Sequence, residues 1–527
     1  MVPMALDDAV AHVTGNDPTF AVGSAVIRGV RYRVFENIPR HTRDLLIESR
    51  AAQAGREYLV FHDERWSYDD FCNEINRVSH SLQLNIGVVQ GQRVALAMRN
   101  CPEMLILTMA ITSMGGVAVF LNAWWTSDEL DYALNDCEAR LVFADGERMN
   151  RLSHLVGRPD TTIIGVRDGE RLATKSYSDL RDSCNDLSWP TQAIDTDDDM
   201  AIMYSSGTTG KPKGVVQTHR GAMNAVYTWL MQAEIAALID SPAPDAPEAP
   251  RPSVLIVTPL FHVTATHPMF LLSLPAGGKV TLMDKWDADE AVRLLEREQV
   301  TRFLGVPTQS ADLLEAAERS GATLSTLDFL GSGGAKRPAA QVAGLARRFP
   351  NAKVATGWGM TETNANGIGL AGKDYEARPG VAGRLYPPVQ ELRFIDDDSR
   401  DVALGELGEI TVKSPCNMRC YLNKPEATDA VLQDGWLRTG DLGMIDADGI
   451  VTIVDRKKDI IIRGGENIAC LDVEGALHRH PAVAEACVFP IPHERLGEVV
   501  GAGVRVKPGE TLALQDLCAF LGEHIAR

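Results

Sequence analysis

Nine cysteines are scattered along 527 residues without a single CxxC pair, and the closest two, Cys416 and Cys420, have the wrong spacing for a zinc or redox motif. Free thiols in a reducing, cytoplasmic setting are expected. Positive charge is scarce too, with 52 Lys and Arg against 71 Asp and Glu and a formal net charge of −19. Nucleic acid and anionic membrane would be repelled, so any phosphate site must be local. The Walker A order is missing, since Gly207 is followed five residues on by Pro212, which disfavours an ordinary P-loop NTPase. A signal peptide is not expected either, because MVPMALDDAVAHV carries two aspartates where a basic region and an apolar run would stand. One run, residues 104–121, has eighteen uncharged residues, long enough for a membrane span. Gly115-Gly116 inside it predicts instead a buried helix that hands over to a strand, VAVFL. No transmembrane segment is expected.

What is present is ordinary soluble composition, 45% hydrophobic and 23% charged, in a chain long enough for two or more domains. Short β-rich runs (RVALAM, VAVFL, RLVFAD) alternate with helical patterns. An α/β fold follows, with parallel or mixed sheets and flanking helices. SPAPDAPEAPRPS, residues 241–253, holds five prolines and reads as an irregular inserted loop. The cluster DRKKD at 455–459 lies between two apolar runs and reads as a hinge or as a charged hairpin tip. A hinge there would divide the chain into a large N-terminal part and a small C-terminal one.

The densest signal is YSSGTTGKPKG, 204–214, with three glycines, four Ser and Thr hydroxyls and two lysines at the end of the strand-like MAIMY. Glycines let backbone N–H groups turn inward as an anion nest, and Ser205, Ser206, Thr208 and Thr209 add donors beside Gly207. Phosphate oxygens are the natural guest. Further on come VTPLFHVTA (257–265), GSGGA (331–335), GWGMTET (357–363), DGWLRTGDLG (434–443) and DRKKDIIIRGGEN (455–467). In identity and order these six resemble the adenylate-forming superfamily of acyl-CoA synthetases, luciferases and stand-alone adenylation domains, over roughly residues 35–527.

The resemblance implies an ATP-dependent carboxylic acid:CoA ligase that passes through acyl-AMP and releases pyrophosphate, with ATP, Mg2+ and CoA as its small molecules. The first loop would cradle the β- and γ-phosphates, with Lys213 as the family's loop lysine; Lys211 receives no role. Trp358 would stack on adenine, Thr361 meet the AMP phosphate and Glu362 hold magnesium. Asp441 matches the ribose contact, a task suited to two acceptor oxygens, and Arg456 a second one. Gly333, Gly334 and Ala335 of GSGGA, with Gly357 and Gly359, would let the nucleotide approach the backbone. Lys458, Gly464 and Gly465 join this cofactor-facing set, and the resemblance places a hinge near Lys458 that would divide the chain into a large domain, 1–457, and a small mobile α+β domain, 458–527, that rotates between half-reactions. His262 would orient the acid's carboxylate and gate the thiol, while Gly305, Val306, Pro307, Gly331, Thr356 and Gly357 line the acyl pocket. Taken singly, Glu362 reads as a solvated glutamate, Asp441 as a turn residue, His262 as a core histidine and the glycines as packing residues.

Relatives also carry a lysine in a Gly-Lys motif near the C-terminus, and this sequence reaches FLGEHIAR without one. The expectation is a missing tail, and a chain that binds nucleotide well but adenylates poorly without it. A hydrophobic acid, fatty or aryl (coumarate-type), fits the motifs better than a polar one. The alternatives are a stand-alone enzyme loading a carrier-protein thiol, a luciferase-type oxidising enzyme, and an acyl-AMP-binding protein defective in adenylation. Oligomeric state stays open, a homodimer included.

Overall fold

A computed structural model describes residues 4–205, 211–240, 250–463, 466–493 and 495–524. Two large sheets dominate. In the first, the strands Arg93–Ala97, Val117–Phe120, Leu141–Ala144 and Thr162–Gly165 run parallel with Asp199–Ser205, and Lys213–Thr218 adds on antiparallel. In the second, Ser253–Ile256, Arg302–Gly305, Phe329–Ser332 and Lys353–Trp358 are consecutive parallel neighbours. Ile368–Ala371 pairs antiparallel with the last of these, and the short strand Arg384–Leu385 ends that edge. Unbroken apolar runs such as Leu141–Ala144, buried throughout, are what a parallel strand covered on both faces requires.

The helix Pro102–Ser113 packs in the core joining the two sheets, with eleven of its twelve residues buried. It is apolar all round, so it has no face to give to water. It ends before Gly115, whose φ of +84° is a left-handed conformation suited to glycine, and Val117–Phe120 follows. Among the described residues no helix is long and apolar enough to cross a membrane.

A five-stranded antiparallel sheet contains Gly408–Lys413, Trp436–Ile445 and Val451–Arg456. After a turn at residues 457–459, Ile460–Arg463 pairs instead with Glu466–Ala469 and Gly497–Val506, in a four-stranded sheet completed by Val483–His493. The charged turn thus joins strands of two different sheets. The helices Cys470–Leu477 and Leu514–His524 accompany the last sheet, whose core of Ile461, Cys470, Val473, Leu477, Val483, Val488 and Leu517 draws only on residues beyond that turn.

Candidate active site

The parallel order brings the motifs to one edge. Ser205 ends its strand, and the segments holding His262, Val306–Pro307, Gly333–Ala335 and Trp358 follow or end four adjacent strands of the second sheet. The carboxyl ends of parallel strands are where open α/β sheets bind ligands.

Glu362 sits in the short 3-10 turn Thr361–Thr363, only 5% exposed. Its Oε1 accepts from Ser205 Oγ at 3.1 Å and from Tyr421 Oη at 2.9 Å. Burial pushes its pKa up, against these two hydroxyls, which hold it down. The turn is fixed from several sides. Gln217 Nε2 donates to the Thr361 carbonyl at 3.0 Å, and the Met418 amide donates to that of Glu362 at 2.7 Å. Next come Asn364 and Ala365, both left-handed at φ +52° and +59°. Non-glycine residues rarely adopt this conformation, so surrounding contacts must impose it. Asn364 Oδ1 lies 2.9 Å from His267 Nε2, and its Nδ2 donates to the Cys416 carbonyl at 2.7 Å. His267 is fully buried, which pushes its pKa down to about 4. Lys213 Nζ stands 4.9 Å over the Tyr421 ring, on the same side of the site.

A second constellation lies where the second sheet meets the five-stranded one. Trp358 Nε1 donates to Asp441 Oδ2 at 2.7 Å, and Arg456 Nε approaches Asp441 Oδ1 at 3.6 Å. Burial raises the Asp441 pKa, and the indole bond and Arg456 oppose that rise. Asp441 and Arg456 face each other as strand partners, so the register sets their meeting.

The glycines divide into two kinds. A Cβ on Gly333 would come no closer than 3.7 Å to any atom, on Gly334 3.8 Å and on Gly357 3.8 Å, so all three have room for ordinary contact, although the φ of +77° at Gly334 itself favours glycine. A Cβ on Gly331 would meet the Phe329 ring at 2.6 Å and Leu304 at 2.8 Å; on Gly305, Gln309 at 2.9 Å; on Gly359, the Ala365 carbonyl at 2.2 Å. The packing reading therefore accounts for Gly331, Gly305 and Gly359, whose missing side chains are replaced by the protein itself. Val306 is half-buried, its amide held by Gln309 Oε1 at 3.0 Å, and Pro307 accepts from Gln341 Nε2 at 2.8 Å. Thr356 is half-buried and Ala335 exposed.

His262 is reached by solvent but crowded by rings, with Phe261 at 4.6 Å and Trp124 at 6.3 Å between centroids. The crowding lowers its pKa, so the imidazole is neutral near pH 7. Lys458 lies in the turn at 457–459, with its Nζ 3.9 Å from Asp459 Oδ1. Ser206, Gly207, Thr208, Thr209, Gly464 and Gly465 fall outside the described residues.

Tyr421, Gln217 and the His267–Asn364 pair escaped the sequence reading. Their only trace there was indirect: Tyr421 belongs to a two-residue strand paired with Lys213–Thr218, a contact across two hundred positions that carries no local pattern.

Residues 47–422 match the AMP-binding enzyme family, and residues 472–527 match the AMP-binding enzyme C-terminal domain. The chain is 31% identical to a long-chain-fatty-acid–CoA ligase of Bacillus subtilis (strain 168), over 93% of this chain and 90% of that protein. It is likewise 31% identical to the indoleacetate–CoA ligase of Aromatoleum aromaticum, over 90% of each chain. Among solved structures it resembles Bacillus subtilis o-succinylbenzoate coenzyme A synthetase in complex with ATP and magnesium ion, with a TM-score of 0.78 and 26% identity over 92% of this chain and 93% of that one. The chain belongs to the AMP-binding enzyme family of adenylate-forming acid–thiol ligases.

Proposed function

We propose that the protein uses ATP to convert a hydrophobic carboxylic acid, fatty or aryl, to its acyl-adenylate and then transfers the acyl group to the thiol of CoA. The observation that carries this reading is the junction of Ser205, Glu362 and Tyr421. There the start of the phosphate loop on one sheet meets, through a buried carboxylate, the turn after Trp358 on the other. The named functions of the two relatives, one fatty and one aryl in its acid, support the hydrophobic substrate class.

The residues fit the small molecules that the family implies. Among the described residues no group of three or more His, Cys, Asp or Glu is arranged to hold a metal. A single buried carboxylate such as Glu362 suits Mg2+, which is usually held by one or two carboxylates with phosphate oxygens and water. When bound, the ion would neutralise charge on those oxygens. The room beside Gly333, Gly334 and Gly357 lets a nucleotide lie against the backbone. In this reading Trp358 stacks on adenine, Asp441 and Arg456 hold the ribose, Thr361 meets the α-phosphate, and Ser205 and Lys213 steady the departing pyrophosphate. Val306, Pro307 and Thr356 line the acyl side. His262, neutral near pH 7, orients the acid through a hydrogen bond rather than as a fixed cation.

The division at the 457–459 turn serves the same scheme. The last sheet has a core of its own, so the part beyond Lys458 is built to rotate as a unit, presenting different groups in the two half-reactions. Pyrophosphate release by the full-length protein, screened over fatty, cinnamic, benzoic and steroid-type acids, tests the reading. Release that depends on one hydrophobic acid supports it; release with none, or only with small polar acids, refutes it.

A further inference from the structure

Arg302 opens the strand Arg302–Gly305, and alternation along that strand decides where its side chain goes. Phe303 packs with Leu255 into the core on one face of the second sheet. Arg302 and Leu304 therefore point to the other face, where Leu304 and the strand partner Val254 belong to the core shared by the two large sheets. There the guanidinium lies 4.3 Å over the Phe329 ring. Among the described residues it has no hydrogen bond and no ion pair. Burial holds its pKa down, and the Asp328 carboxylate opposes that fall without pairing with it. Tyr386 faces the same guanidinium. Its hydroxyl occupies the side-chain position of Gly369, where a Cβ would collide with it, and burial lifts its pKa to about 12. Gly369 is the strand partner of Gly357, which is exposed, so Tyr386 stands one strand away from the nucleotide's side of the sheet. Gln232 Nε2 donates to the Pro387 carbonyl at 3.3 Å, which lays the helix His219–Asp240 over this face. Arg302, Leu304, Phe329 and Tyr386 are all half-buried. Groups that lie under a helix and are penalised by desolvation keep that surface toward an interior space, not toward bulk water.

A guanidinium taken out of water with nothing to bond is costly, and buried arginines are almost always paired. We propose that Arg302 and Tyr386 receive a second carboxylate at the far end of the acid, so that the substrate is a dicarboxylic acid with an apolar spacer, activated at one end only; this rests on the ligase reading above. The planar fork of an arginine takes both oxygens of a carboxylate together, and the tyrosine hydroxyl adds a further donor. From Arg302 to Gly305 the strand rises about 10 Å, and its far end leads into Val306 at the edge where the reacting carboxylate meets the nucleotide. The two carboxylates of the substrate are separated by about that length. Leu304 and Phe329, on the way, give methylenes or an aromatic ring an apolar wall. A monocarboxylic acid of the same length fills the wall but leaves the guanidinium desolvated and unpaired. A site built to bond a polar group rejects an analogue lacking it far more strongly than a hydrophobic pocket rejects a missing methylene.

Acid-dependent ATP–pyrophosphate exchange by the full-length protein tests this, with straight-chain acids from hexanedioic to decanedioic and 4-carboxycinnamic acid each set against the matching monocarboxylic acid. The best dicarboxylic acid should exceed its partner in kcat/KM by at least about a hundredfold. In Arg302→Met the preference should invert, because the spacer still fits while the distal charge is stranded. The same variant should melt no lower than the parent, since an unpaired buried charge has been removed, and its KM for ATP should stay within about twofold. Tyr386→Phe, which removes one hydroxyl and keeps the ring, should lower the preference about tenfold. Equal turnover of the two acids in every pair, or a preference that survives in Arg302→Met, overturns this inference and leaves the ligase reading standing. Exchange with no acid at all overturns the ligase reading and this inference with it.

Discussion

Replacing Tyr421 by Phe removes one oxygen and leaves the ring, so the packing and the approach of Lys213 to the ring face at 4.9 Å are kept. What goes is one of the two hydrogen bonds on Glu362 Oε1, at 2.9 Å, leaving that from Ser205 at 3.1 Å. A hydrogen bond to a charged group contributes roughly 1.5–3 kcal/mol. Its loss therefore weakens whatever depends on the Glu362 carboxylate by roughly 10- to 100-fold. Burial already raises the pKa of this carboxyl, and the Tyr421 hydroxyl opposes the rise. Without it the pKa climbs further and the carboxylate is lost at a higher pH on acidification. Acid-dependent ATP–pyrophosphate exchange measures both effects. Half-saturating magnesium should rise by at least about tenfold. The acid limb of the pH profile should also move to higher pH. If Tyr421→Phe shows the parental magnesium dependence and the parental acid limb, Glu362 does not work as argued.

The glycines supply a paired test: Gly333→Val should melt near the parental temperature and raise the KM for ATP more than tenfold. Gly331→Ala, forced against Phe329 and Leu304, should instead cost about 1–3 kcal/mol of stability in a denaturant titration. Asp441→Asn keeps an acceptor for the Trp358 indole but loses the charge facing Arg456; its KM for ATP should rise about tenfold with little change in melting. Acid stability follows from two buried histidines, His219 and His267, whose folded pKa values are pushed down to about 3 and about 4. Both states are neutral above pH 6.5, but below it only the unfolded chain takes up these protons, so stability falls with pH until the folded pKa values are reached. At pH 5 each histidine should cost about 2 kcal/mol relative to pH 7. Urea titrations at the two pH values read the difference, and His267→Gln should roughly halve it.

Local patterns announced much of this molecule because they are statements about burial. The run at 104–121 was readable as helix, glycine break and strand, since an uninterrupted apolar stretch must be covered on all sides and Gly115 supplies the left-handed turn. The strand before the phosphate loop followed from its short apolar run, whereas Asp441 and Arg456 were expected near one ribose only from the family resemblance, and their meeting as strand partners was not foreseen. What was hidden depended on chain crossings. Tyr421 reaches Glu362 only because its two-residue strand lies beside Lys213–Thr218. Trp124 lies against Phe261 only because two sheets converge there. The glycines show the other limit: the letters at Gly331 and Gly333 are the same, and only the distances to a hypothetical side chain separate a packing residue from one with room beside it.

The central claim is that one chain makes an acyl-adenylate and then a thioester from the same acid. Rapid-quench mass spectrometry on the full-length protein, first with ATP, magnesium and a hydrophobic acid, then with CoA added, follows both species at once. The account predicts acyl-AMP in the first stage, and in the second its conversion to acyl-CoA with one AMP released per thioester. Acyl-AMP that persists in the presence of CoA, or acyl-CoA formed with ADP in place of AMP, would contradict it.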